Sequence, residues 1–143
     1  MTKNKTYSIQ LFGPFALASP KNSPPLPPLA AGASRSLLAY LILNRQAPVA
    51  REKLLGVLWP DESDARARRA LSQALWQVRR SLPENALVAD SNTIGLNLSA
   101  PITSDVAEFD HLASPYLPPN PCPPAALPVL RKAAQIVRGE LLE

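Results

Sequence analysis

Thiols and imidazoles are almost missing from this chain. Among its 143 residues Cys122 is the single cysteine and His111 the single histidine. A lone cysteine forms no internal disulfide and offers a metal no second thiol. The initiator is the one methionine, so soft-metal sites and histidine-based catalysis are close to excluded. Long apolar runs are lacking as well. None approaches the roughly 20 residues that a membrane-spanning helix requires, and no membrane partner is expected. The N-terminus, MTKNKTYSIQ, has two lysines with no apolar stretch behind them and does not read as a signal peptide. A cytoplasmic location is therefore expected. There is also no catalytic constellation: no nucleophile beside a base, no paired carboxylates in a cleft pattern, no phosphate loop. The chain reads as a non-enzyme with no cofactor and no metal.

What is present is proline, leucine and an uneven charge. The 17 prolines cluster, which predicts ordered blocks joined by extended connectors. Residues 1–99 carry 12 Lys/Arg against 6 Asp/Glu, whereas residues 100–143 carry 3 against 5. A basic front and a mildly acidic back predict two modules with different partners, and a polyanion is the natural partner of the first.

The order of elements is legible in outline. YSIQLF alternates, as a half-buried strand does, and Gly13-Pro14 breaks it before a second short strand at Phe15 to Leu17. SPKNSPPLPPL then reads as an extended loop ending in an edge strand near Leu26 to Leu29. SRSLLAYLILNRQ predicts a helix with Ser34 as N-cap and Leu37, Leu38, Leu41 and Ile42 inward. REKLLGVLW predicts a second helix with Leu54, Leu55 and Leu58 inward, stopped by Pro60.

The most informative stretch is RARRALSQALWQVRRSL, residues 66–82, with a third of the basic residues and no acid. Capped by Ser63 or Asp64, it places Leu71, Leu75, Val78 and Leu82 on one narrow stripe. Arg66, Arg69, Gln73, Trp76, Gln77 and Arg80 fall opposite. ALVADSNTIGLNL then reads as a hairpin around Ser91-Asn92. Beyond Pro101, SDVAEFDHLA predicts a short helix capped by Ser104 or Asp105, with Val106 and Phe109 docking the second module on the first. A last helix in AALPVLRKAAQIVRGELLE would turn Leu127, Leu130, Ala134 and Val137 to one face. The chain ends just after Leu141-Leu142, which nothing in this sequence covers, so it is expected to be the front of a longer protein.

LFGPFAL, SRSLLAYLILN, VAREKLLGVLWPDESDARARRALSQALWQVRRSL and ITSDVAEFDHL together resemble, in order and spacing, the SARP family of bacterial transcriptional activators. The resemblance runs from about Tyr7 to Leu112. It implies an α+β fold: a winged helix-turn-helix of the OmpR/PhoB effector type with an N-terminal antiparallel sheet and a C-terminal wing hairpin. Helices of a partial, tetratricopeptide-like activation domain would follow. On this basis residues 1–100 form the DNA-binding domain and 101–143 the beginning of the activation domain. The function implied is sequence-specific binding of double-stranded DNA by a cytoplasmic bacterial regulator. Helix 66–82 would enter the major groove, the polar connector Asp61-Glu62-Ser63-Asp64 would face RNA polymerase, and a homodimer would sit on DNA repeats.

The DNA-binding residues expected are Arg35, Arg51, Arg66, Arg69, Ser72, Gln73, Trp76, Gln77, Arg79, Arg80, Asn92 and Thr93. A helix fits a major groove about 12 Å wide, an arginine reaches guanine O6 and N7 together, and a glutamine amide pairs with adenine. Gln73, Gln77 and Arg80 are the expected base readers. Arg35, Arg51 and Arg79 would hold phosphates, and Trp76 offers a flat surface to a thymine methyl or a deoxyribose. The sequence departs from the family in its short, uncharged turn and in Trp76, where smaller or charged residues are usual. The rival expectation is a protein-interaction module that presents Pro-Pro-Leu-Pro-Pro, residues 24–28, to an aromatic groove without binding DNA.

Overall fold

A computed structural model of the chain describes residues 6–20, 27–29, 32–137 and 139. Its elements are mixed α and β, as expected, with five α-helices and two three-stranded sheets among the described residues. By their contacts they form two compact units: Ser8–Ala18 with Thr103–Glu143, and Met1–Tyr7 with Ser19–Ile102. The N-terminal strands, placed with the front half on sequence, thus share a unit with the back of the chain.

The larger unit begins its regular structure with α1 (Ala33–Leu43). Ser34 is not its N-cap: Gly32, at φ 108°, occupies that place, in a backbone region that L side chains rarely adopt. Ser34 is the second residue of the helix and is buried. The helix stops at Leu43, short of Pro48, because Asn44 and Arg45 donate side-chain hydrogen bonds to the carbonyls of Tyr40 and Ile42. The same two carbonyls also accept backbone N–H groups, Tyr40 that of Asn44 and Ile42 that of Arg45, so main chain and side chains close the end together.

Strand β3 (Val49–Ala50), which the sequence reading missed, leads straight into α2 (Arg51–Leu58), and α3 (Asp64–Ser81) follows. The hairpin pairs β4 (Leu87–Ala89) with β5 (Thr93–Leu96), and β5 also pairs with β3, giving the order β3-β5-β4. Leu37, Leu38, Leu41, Ile42, Leu54, Leu71, Val78 and Ile94 are buried where the three helices and β5 meet. Of the second helix's expected inward residues, Leu54 is fully buried while Leu55 and Leu58 are half-buried. Gly95 allows a close approach: a Cβ there would stand 3.3 Å from the Pro48 Cα.

Pro27–Leu29 forms no strand, in contrast to the expected edge strand. Leu29 is buried, and the Pro27 carbonyl accepts the Ser81 hydroxyl at 2.7 Å. This backbone is satisfied by side chains, so it needs no ladder. Residues 21–26, with most of the Pro-Pro-Leu-Pro-Pro segment, lie outside the described residues.

In the smaller unit β1 (Tyr7–Gln10) pairs antiparallel with β2 (Ala16–Ala18), Ile9 opposite Leu17. The return strand starts one residue later than expected, after a turn through Gly13 at φ 76°. A third strand, β6 (Ile102–Ser104), extends the sheet to the order β2-β1-β6. Its signal was the β-branched pair Ile102-Thr103 after Pro101. Ser104 caps α4 (Asp105–Ala113), accepting the Ala107 N–H at 3.0 Å.

Asp105 does more than begin α4. Its carboxylate accepts the backbone N–H groups of Leu11 and Phe12, each at 2.9 Å, and of Val106 at 2.8 Å. Phe109 meets Phe12 edge to face, ring centroids 5.9 Å apart. Phe12 and Phe109 belong to the same unit, so this contact, expected to dock one module on another, is internal to that unit. After 3₁₀ turns at Ser114–Tyr116 and Pro124–Ala126, α5 (Leu127–Ile136) packs on α4. Its expected face is corrected: Ala126 and Ala133 are buried, and Leu127 is 50% exposed. Leu141-Leu142 lie outside the described residues. No helix among the described residues is long and apolar enough to cross a membrane.

Candidate functional site

Helix α3 forms because several local preferences agree. Ser63 caps it, its hydroxyl accepting the Arg66 N–H at 3.4 Å, and the cap extends the helix to Asp64, two residues ahead of the expected start. Asp64 in the first turn and Arg79 and Arg80 in the last complement the helix dipole. Ala67, Leu71, Ala74, Leu75, Val78 and Ser81 are buried, which commits one whole face to the core.

The other face is open. Arg66, Arg69, Ser72, Gln73, Trp76, Arg79 and Arg80 are all exposed. Trp76 is 56% exposed, and the Arg80 guanidinium carbon stands 4.5 Å from its ring centroid. Arg68 differs from its neighbours in pairing with Glu52 of α2 at 3.3 Å. Arg66, Arg69 and Arg79 have no ion-pair partner among the described residues.

Gln77 stands apart from the other expected base readers. It is half-buried, and its Oε1 accepts the Ser34 hydroxyl at 2.7 Å. One lone pair of its oxygen is taken by Ser34 and the side chain is half-buried, so the amide is held in place rather than free to turn toward a base edge. Gln73 is exposed. The residue that sequence reasoning missed here is Ser34, hidden by its similarity to an ordinary cap.

Arg51 and the hairpin turn form a second group. The Arg51 Nε donates to the Asp90 carbonyl at 2.8 Å, and its backbone N–H donates to Asn92 at 2.8 Å. The Asp90 carboxylate accepts the N–H groups of Asn92 and Thr93, each at 2.7 Å, and the Thr93 hydroxyl at 3.2 Å. Those bonds, first from Asn92 and then from Thr93, with Arg51 adding a smaller part, hold its carboxyl below the usual aspartate value. The turn residues Ser91-Asn92-Thr93 are uncharged, as expected, and the carboxylate of Asp90 ahead of them closes the turn. The Asp-x-Asn-Thr spacing of an Asx turn carried that signal.

A cleft of about 220 Å³ brings Arg51, Ser72 and Asn92 together, walled also by Glu52, Leu55 and Arg68. Arg35 lies elsewhere, half-buried, its Nε donating to the Leu29 carbonyl at 3.1 Å. The twelve expected residues therefore separate into the open α3 face, the cleft beside the hairpin turn, Thr93 within the turn, Gln77 on Ser34, and Arg35. Among the described residues no group of three or more His, Cys, Asp or Glu could hold a metal ion.

Helices on small sheets, with one long helix basic along its solvent face, define an α+β class of fold. The solved structure of Mycobacterium tuberculosis EmbR in complex with a low affinity phosphopeptide has a similar fold, with a TM-score of 0.67 and 22% sequence identity. The similarity covers 96% of this chain and 38% of that one. The chain thus spans well under half the length of that protein. No protein-family profile matches the chain, and no curated protein does.

Proposed function

We propose that the chain is a sequence-specific, double-stranded-DNA-binding regulator of transcription, built as a winged helix. In this reading α3 is the recognition helix in the major groove and the β4-β5 hairpin is the wing. The observation that carries it is the separation of α3 into a buried apolar face and an acid-free face of Arg66, Arg69, Gln73, Trp76, Arg79 and Arg80. Such a face neutralises phosphates and offers donors to base edges at once. The fold likeness to EmbR agrees with it.

Arg69, Gln73 and Arg80 read or flank bases, and Arg66 and Arg79 neutralise phosphates. Arg51, Ser72 and Asn92 grip the backbone through the cleft they share. Thr93 acts through the turn, since its hydroxyl donates to Asp90. Gln77 contributes N–H donors, and Arg35 braces the segment ahead of α1. Residues 1–100 supply DNA binding and 101–143 open an activation or dimerisation module, with residues 8–18 folding in the same unit as the latter. The exposed connector Asp61-Glu62-Ser63-Asp64 faces RNA polymerase, and two copies bind repeated sites in a bacterial cytoplasm.

The test is binding of the purified chain to duplex DNA across a salt series. Releasing counterions from three to five phosphates gives a slope of log affinity on log salt of roughly −3 to −5. A slope near zero for every duplex tried rejects the proposal.

A further inference from the structure

We propose that Trp76 is a positioning residue for base readout. Its indole holds the Arg80 guanidinium in the orientation that meets a guanine edge, so a guanine preference at one position of the site depends on Trp76. The inference rests on the DNA-binding reading above and adds to it a specificity device and the base it selects.

The two side chains sit one helical turn apart on the open face of α3, the guanidinium carbon 4.5 Å from the ring centroid. A tryptophan is usually highly buried, yet this one is 56% exposed and takes no place in the core stripe. What its ring holds is an arginine. Stacking engages the flat face of a guanidinium and leaves the N–H donors, which lie in its plane, free at the rim. That is the arrangement that accepts guanine O6 and N7 in two parallel hydrogen bonds.

Pre-ordering matters because an unconstrained arginine loses several rotors when it contacts a base, and a stacked one has already lost most of them. No acid occurs in residues 66–82. Among the described residues the carboxylate paired on this helix is Glu52, and it takes Arg68 rather than Arg80. Arg79, the adjacent residue, is exposed too and has no ring contact among the described residues, so it keeps the freedom suited to a phosphate. Arg80 takes one face of the ring, and the other face keeps the flat surface expected to meet a thymine methyl or a deoxyribose.

The experiment is selection of bound sequences from random duplex DNA by the full 143-residue chain and by three variants. Trp76→Phe keeps an aromatic face, Trp76→Leu keeps bulk and helix propensity without one, and Arg80→Lys keeps charge without the fork. The natural chain and Trp76→Phe are expected to share a guanine-specific position. Trp76→Leu and Arg80→Lys should each lose roughly tenfold in preference for guanine there, and the double variant should lose no more than Arg80→Lys alone. Circular dichroism and a thermal melt verify that each variant is folded, and Trp76→Phe keeps the test decisive should Trp76→Leu not be. If Trp76→Leu retains the guanine preference, or loses affinity equally for all sequences, the positioning role is overturned while DNA binding stands. If no protein shows salt-sensitive duplex binding, the DNA reading itself is overturned and this inference falls with it.

Discussion

Helices α3 and α5 are both amphipathic, yet only one shows its buried face in sequence. Along the 18 residues of α3 the spacing of Leu71, Leu75 and Val78 repeats over several turns, and all three are buried as the pattern predicts. Helix α5 has 10 residues, and the face predicted from Leu127, Leu130, Ala134 and Val137 is displaced. Ala133 is 1% exposed there, while Leu127 and Val137 face solvent. A long helix with large residues over-determines its own rotation. A short one rich in alanine can turn by a residue when small side chains let a neighbour come close. Here α4 is that neighbour, and Ala133 is the buried residue of α5.

The sharpest way to break this contrast is to truncate one leucine in each helix. Leu71→Ala, in the fully committed stripe of α3, should cost about 2–4 kcal/mol. Leu127→Ala, at a half-exposed place on α5, should stay within about 1 kcal/mol. Thermal or urea unfolding of the two variants measures both. Equal losses would mean that the α5 face lies where the hydrophobic pattern put it.

A smaller loss is expected at Asp105, which compensates for the weakly patterned packing of its unit. One carboxylate there satisfies the N–H groups of Leu11, Phe12 and Val106. Asp105→Ala leaves these donors without their charged acceptor and should cost about 2 kcal/mol. Asp105→Asn, which keeps an acceptor oxygen, should recover part of it. Urea midpoints of the two variants settle the order.

The smallest effect concerns Asp90 in the hairpin turn. Its folded carboxyl is held below the ordinary value, chiefly by the N–H groups of Asn92 and Thr93. A depressed carboxyl contributes fully above the unfolded value and loses its contribution as pH falls through the folded one. Amide exchange at Asn92 and Thr93 should therefore accelerate, relative to the rest of the hairpin, only in acid below the usual aspartate range. Asp90→Asn should remove that pH dependence. A change centred near neutral pH in the natural chain would point to another group.

The candidate site was legible to the extent that it depends on helical periodicity. Exposure of Arg69, Gln73, Trp76 and Arg80 follows from their place opposite the leucine stripe, because the helix repeat carries them there whatever else the chain does. Gln77 sits at the margin of that arc, and its engagement with Ser34 joins residues 43 positions apart. Periodicity has no access to such a pair. The same holds for Arg51 and Asp90, which meet 39 residues apart, and for the strand β6, which exists only because β1 is there to pair with it.

Sequence alone determined the order of the helices and the hairpin, the inward stripe of α3 and the basic character of its outer face, since each is set within one or two turns of chain. Tertiary structure decided which of those outward side chains are engaged by other elements: Gln77 by Ser34 and Arg68 by Glu52. It also decided that the N-terminal strands share a unit with Thr103–Glu143, through hydrogen bonds to Asp105. The physical reason is that a local pattern specifies where a side chain points. Whether its hydrogen-bonding capacity is already spent depends on groups that only folding brings within about 3 Å.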